Sequence, residues 1–277
     1  TGQKFMVTTN NEKNTFKKLS IQVSLNGLSF CILNKDANEV FYLKKVDFDK
    51  QLDPIKVLSK IELIYEQEIE LNQPVDEVNV IFNNSLFSLV PAELFDEEHA
   101  ASFLKFNTRI LKTDFIAYDE INENLVNVYI PYANITNYFF DKYGEFEYRH
   151  SLSVLIESLL KLPKDTTGPK VHLHTHGNFY ELVIIENGKL IFANCFDFET
   201  REDFLYYLLF TAEQLNLDTE KFDLFLMGDI SKESEEYQMA WDYIKNISFM
   251  GPFHPYSFSE KAKPENELSE YLLIKSL

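Results

Sequence analysis

From Lys17 onward, apolar and polar positions alternate. Leu19, Ile21, Val23 and Leu25 share one face, as in a strand with one buried side. Asn26-Gly27 follows and predicts a two-residue hairpin turn, because both residue types accept positive φ. Leu28–Leu33 reads as the returning strand and Val40–Val46 as a third. Asp53-Pro54 marks a helix start, with an N-cap acid and proline at the first helical position. Val57, Leu58, Ile61, Ile64 and Tyr65 form the apolar stripe of that helix, and Glu77–Phe82 reads as a fourth strand.

The same order then recurs. Val171, Leu173 and Thr175 alternate with His172, His174 and His176, Gly177 turns the chain, and Phe179–Ile185 returns. Asn187-Gly188 is a second hairpin signal and Leu190–Phe198 a third strand. Thr200 with Asp203 resembles a capping box. Leu205, Leu208, Leu209, Ala212 and Leu215 recur at helical spacing, Asp223–Met227 reads as a strand, and Tyr237, Ala240, Trp241 and Ile244 mark a further helix. Gly27 and Gly177 lie 150 positions apart, Asp53 and Thr200 147, and Val80 and Phe225 145. A drift of five is what loop-length changes produce in a duplicated β-β-β-α-β unit.

The first unit carries extra material, read as an insertion around residues 84–131: a helix over Asp96–Asn107 and a strand over Val126–Pro131. A short helix over Ile135–Tyr143, an edge strand over Glu145–Arg149 and an amphipathic helix over Ser151–Leu162 follow. Lys164–Pro169 is the clearest linker. The expected division is therefore 1–163 for the first half and 164–277 for the second. The tail, Glu265–Leu277, reads as a short helix docked on its own half.

Composition narrows the function classes. The chain has 277 residues, 45% hydrophobic and 15% aromatic, which is enough apolar surface to build a large core. Its net charge of −18 repels phosphate backbones and anionic lipid, so neither nucleic acid nor a membrane surface is expected as a partner. No run approaches the ~18 apolar residues of a spanning helix, and Thr1–Asn14 lacks the apolar core of a signal peptide. A cytoplasmic protein without membrane insertion is expected, with Cys31 and Cys195 as buried free thiols. The sequons at Asn83, Asn134 and Asn246 carry no weight in that setting. Met250–Phe258 stays apolar despite two prolines and reads as a surface or partner segment.

Two tandem β-β-β-α-β units, each opening on a hairpin, resemble the actin-like ATPase fold of the actin, Hsp70 and sugar-kinase superfamily. The stretches Gly177–Ile184, Gly188–Phe196, Glu202–Leu208 and Leu226–Ile230 carry a closer resemblance, to an uncharacterised Bacteroidetes domain-of-unknown-function family with that fold. It extends over nearly the whole chain and is most specific between Gly177 and Ile230. It implies an α/β architecture of two ribonuclease H-like halves, each a mixed β-sheet flanked by helices. It brings no activity with it, since fold alone does not license function.

The resemblance places ATP phosphates between the two hairpins, with an Asp-x-Gly pattern at each to hold Mg²⁺ or to position the attacking water. The aligned positions here are Leu25-Asn26-Gly27 and Thr175-His176-Gly177, so both glycines stand and both acids are missing. The adenosine-side glycine pair is replaced by Met227-Gly228-Asp229. Phosphoryl transfer rests on positioning and electrostatics, so the loss of the metal-organising acids argues against hydrolysis. Asn26, Gly27, His176, Gly177, Gly228 and Asp229 are thus the candidate residues of a degenerate nucleotide site. No cofactor is expected beyond weak ATP or ADP binding. The expected function is that of a non-catalytic adaptor or scaffold for an unknown protein or peptide. The alternative is a divergent ATP-binding phosphotransferase or ATPase with relocated acids, Asp229 or Asp197 among them.

Other chemistries find little footing. There is no Gly-x-x-x-x-Gly-Lys-Ser/Thr loop, no Gly-x-Gly-x-x-Gly and no Gly-x-Ser-x-Gly elbow. His172, His174 and His176 share one strand face, where two neighbours could bind zinc or nickel if a carboxylate joined them. No cysteine pair or helical His-Glu-x-x-His supports that reading, and no metal is expected.

Overall fold

The alternating run after Lys17 forms β1 (Lys17–Val23), β2 (Gly27–Asn34) and β3 (Glu39–Asp47) in the computed structural model. The structure describes residues 15–164, 167–251, 254–264, 266 and 268–277. Leu19, Ile21 and Val23 are wholly buried, each contributing about 1.5–3 kcal/mol of transfer free energy. α1 (Pro54–Gln67) starts where expected: the Asp53 side chain accepts the Lys56 amide at 2.9 Å. β4 (Glu77–Phe82) returns parallel to β1.

The insertion is a small antiparallel sheet of its own, built from β5 (Phe87–Pro91), β6 (Ala117–Asn122) and β7 (Leu125–Tyr129) in the order β5-β7-β6. The helix expected over Asp96–Asn107 is the shorter α2 (Ala100–Leu104), preceded by a 3₁₀ turn. Next come α3 (Ala133–Tyr143), the edge strand β8 (Glu147–His150) and α4 (Ser151–Leu160).

The second unit consists of β9 (Lys170–His176), β10 (Phe179–Glu186), β11 (Lys189–Asp197), α5 (Arg201–Gln214), β12 (Asp223–Gly228), α6 (Glu235–Tyr243) and β13 (Asn246–Phe249). Thr200 and Asp203 make the full capping box of α5. β14 (Ser257–Phe258) and α7 (Tyr271–Lys275) close the chain.

The duplication is visible in strand order. The larger sheets run β14-β3-β2-β1-β4-β8 and β11-β10-β9-β12-β13, so β3-β2-β1-β4-β8 matches β11-β10-β9-β12-β13 strand for strand. In both, the first three strands are antiparallel and the later two join in parallel. The same irregularity recurs too, with the register slipping at Ile32/Leu33 in one sheet and at Ile184/Ile185 in the other.

Two segments pack across the junction between the two larger sheets. α4 leaves the first sheet and packs its Leu155, Ile156 and Leu159 in one cluster with Val183, Ile185 and Met227 of the second. Ser151–Ile156 is buried on every side, because Phe87 and Ile121 of the insertion close over it from the far side. It is thus an internal helix rather than the amphipathic one expected. In return β14 pairs with β3, and Leu273 of α7 packs on Cys31 and Leu33 at the back of the first sheet. Asn79 donates to the Ser276 carbonyl at 2.6 Å. The tail thus lies between the halves: Leu268, Tyr271 and Leu272 pack on the second, where the tail was expected to dock, and Leu273 and Ser276 on the first. The linker positions 165–166, Pro252 and Phe253 of the proline-bearing segment, Glu265 and Glu267 of the tail, and Thr1–Asn14 lie outside the described residues.

Candidate functional site

The two hairpins face each other. In the first, Ser24 organises the turn: its hydroxyl accepts the amides of Asn26 (3.1 Å) and Gly27 (2.9 Å), while its own amide donates to the Gly27 carbonyl. Neither Asn26 nor Gly27 has positive φ, contrary to the two-residue turn expected there; Asn187 and Gly188 adopt it, at 53° and 72°. Gly27 is needed for a different reason. A Cβ on it would meet the Val46 carbonyl at 2.8 Å and His176 Nε2 at 3.4 Å. In the second hairpin Gly177 turns at φ 56°, and a Cβ there would sit 3.6 Å from that of Asn26.

Asp229, just past β12, fills the space beside this contact. Its Oδ1 accepts Lys45 Nζ from β3 at 2.5 Å. Its Oδ2 lies 3.5 Å from His176 Nδ1 and accepts the Gly177 amide at 3.3 Å. Burial alone would raise the Asp229 carboxyl, but His176 and Lys45 hold it well below the usual carboxylate range. Burial likewise works against the Lys45 ammonium, and Asp229 more than offsets it, so the lysine stays charged. Gly228 makes this placement possible. Its φ is 87°, its amide donates to Leu268 at 3.1 Å, and the Asp229 amide donates to the Thr175 carbonyl at 3.0 Å.

All six candidate residues, Asn26, Gly27, His176, Gly177, Gly228 and Asp229, are therefore brought into one contiguous group. What the sequence did not reveal is the pair of charged side chains that complete it, Lys45 and Glu270. Glu270, just before α7, is 4% exposed, and its Oε1 has no hydrogen-bond partner among the described residues. Burial pushes its carboxyl up to about 7; the Ser29 hydroxyl, Lys45 and His176 partly offset this and Asp229 adds to it. The folded state thus holds a proton on Glu270 that the unfolded chain releases near pH 4.5. Stability from this group is complete below that value and is lost as pH rises through about 7. Glu270→Gln should flatten the stability profile by about 2 kcal/mol between pH 5.5 and pH 8, read by urea denaturation at each pH. A variant profile parallel to the parent's would exclude Glu270 as the source.

Two small cavities border the group. One of about 110 Å³ is lined by Ser24, Asn26, Asn83, His176 and Asp197, and burial raises the Asp197 carboxyl. Both side-chain amide atoms of Asn83 are buried there without a partner among the described residues. The other, about 260 Å³, is lined by Asn26, Lys45, Asp47, Gly177 and Asp229. Both are smaller than the ~300–1,000 Å³ usual for a ligand of nucleotide size. A larger cavity of about 440 Å³ lies elsewhere, beside α4 and α7, where Arg149 and Lys161 already share Glu157 at 2.5 and 2.7 Å.

The three strand histidines go separate ways. His172 stacks on Phe225 and burial takes its pKa down to about 4. His174 Nδ1 meets Glu181 at 2.9 Å, and Glu181 also accepts Ser151 Oγ at 2.5 Å, which ties the start of α4 to the second sheet. His176 belongs to the Asp229 group. Among the described residues, no three His, Cys, Asp or Glu side chains gather as metal ligands. Cys31 and Cys195 are free and buried, and burial pushes both thiols up.

The profile of the family described as "Protein of unknown function (DUF3822)" matches residues 7–247. The chain belongs to that family. No curated protein matches it. Among solved structures, the DUF3822 chain is similar to a Bacteroides thetaiotaomicron protein with actin-like ATPase fold and unknown function. The TM-score is 0.74 at 23% identity, over 87% of this chain and 93% of that one. It is also similar to a chain of a PilM-PilN type IV pilus biogenesis complex, with TM-score 0.58 and 11% identity over 94% and 96%. The fold is the actin-like ATPase fold, in two mixed α/β halves. Among the described residues, no helix is long and apolar enough to cross a membrane.

Proposed function

We propose that this DUF3822 protein is a non-catalytic actin-like adaptor, a binder of protein or peptide whose nucleotide cleft has become an internal lock. One observation carries the reading: the Lys45–Asp229–His176 cluster occupies part of the space between the hairpins, where the resemblance to actin-like ATPases implies phosphate and metal. A phosphate arriving there would have to displace the Asp229 carboxylate from two cationic or polar partners and from the Gly177 amide, with no hairpin acid left to organise Mg²⁺. The occurrence of this fold in the two-protein PilM-PilN assembly supports a role in holding a partner.

Thermal unfolding with ATP or ADP, with and without Mg²⁺, tests it. A nucleotide at ~100 times its Kd stabilises by about 2.7 kcal/mol. No shift is expected at millimolar concentration, and no phosphate release above background. The position of Asp229 favours a second reading, in which it replaces the lost hairpin acids. Saturable Mg-ATP stabilisation that disappears in Asp229→Asn would establish that reading and overturn the first.

A further inference from the structure

α5 buries one face in the second half, through Phe204, Leu205, Leu208 and Ala212, as an ordinary surface helix does. Its outer face is also apolar. Tyr206 and Phe210 are 59% and 46% exposed and stack on each other at 5.7 Å. With Leu205 and Leu209 they form one wall of a groove of about 380 Å³, and Met239 and the 56%-exposed Tyr243 of α6 form the other. A helix apolar on both faces normally has something on each.

The charges name the occupant. Glu202 and Glu213 line the two ends of the groove, 11 residues and about 16 Å apart along α5. Glu202 is paired with Arg201 at 3.1 Å, and Glu213 has no ion pair among the described residues. Arg201 also pairs with Glu235 at 3.4 Å, so the Glu202 end carries Glu235 and Glu236 of α6 as well and keeps an acidic excess. A second copy of this chain would bring the same acids, and its −18 charge, against themselves.

We infer that the α5–α6 groove docks an amphipathic helix of a partner protein, about three turns long, with apolar anchors along its face and Lys or Arg at both ends. This rests on the adaptor reading and supplies the chemistry of its partner.

The probe is a labelled synthetic helix of about four turns with Leu anchors at i, i+3, i+4 and i+7 and lysines at both ends, followed by fluorescence anisotropy at about 0.15 M salt. Saturable binding is expected, weakened tenfold or more by Tyr206→Ser with Phe210→Ser. The same peptide with Glu ends should bind Glu213→Lys at least fivefold better than the parent. Far-UV circular dichroism checks that the variants stay folded. Equal binding of a scrambled isomer, or no loss in the double variant, overturns the proposal. So does a parent protein that sediments as a dimer split by the double variant, since the occupant is then a second copy. Such a failure leaves the nucleotide result, and with it the cleft reading, standing on its own.

Discussion

Gly228→Ala should cost about 4 kcal/mol or more, enough to unfold much of a domain whose total stability is ~5–15 kcal/mol. Its φ of 87° alone penalises a side chain by about 1–2 kcal/mol. The larger effect is contact. A Cβ there would lie 2.0 Å from the Thr175 carbonyl oxygen and 2.8 Å from the Thr175 amide, so β9 and β12 would have to part. That separation breaks the Asp229–Thr175 hydrogen bond and moves Asp229 off Lys45. Gly144→Ala is the internal control. Gly144 has a similar φ of 75° but nothing within 4 Å of a Cβ, so its loss should stay within about 1–3 kcal/mol. Equal urea midpoints for the two variants would remove the steric argument.

Asp229→Ala should cost about 2 kcal/mol, and Lys45→Met somewhat less, because each leaves the other's charge half-buried with only a longer contact, Asp47 at 3.5 Å for Lys45 and His176 at 3.5 Å for Asp229. The side chains of Lys45 and Asp229 are 25% and 16% exposed, so water screens part of the penalty. The double variant should recover more than about 1.5 kcal/mol of the summed losses in a denaturation cycle, whereas additivity within about 0.5 kcal/mol would mean that the two groups do not hold each other. Asp229 is the usual acid case, with a folded pKa held below the unfolded one. Its contribution is present above about pH 4 and is lost as pH falls further, the reverse of Glu270.

Much of the fold was legible because its signals are local. The Asp53 cap, the Thr200–Asp203 box and the Asn187-Gly188 turn are each written within four residues, and all three form. The hairpin glycines stood out by their place in the repeat, whereas Gly228 and Asp229 were reached only through the resemblance to actin-like ATPases. The charged side chains that complete the cleft were not legible. Lys45 meets a partner 184 positions away, and nothing around it distinguishes it from Lys44, which pairs with Glu68 nearby. Glu270 sits in a tail whose pattern predicts a docked helix but not which of its acids is buried, and only packing between the halves strips its water. The Asn26-Gly27 signal was right about the hairpin and wrong about its geometry, because the approach of Val46 and His176, not backbone handedness, demands the glycine. The helical pattern of α4 gave its existence but not its address, since an internal helix between two halves has no polar face to orient it.

The crossed placement of α4 and α7 sets a limit on inheritance. Recombination or truncation at the linker would strip Val183 and Ile185 of the helix that shields them, and would uncover Cys31 and Leu33 on the other fragment. Although the gene reads as one motif copied twice, neither copy is any longer a transferable module.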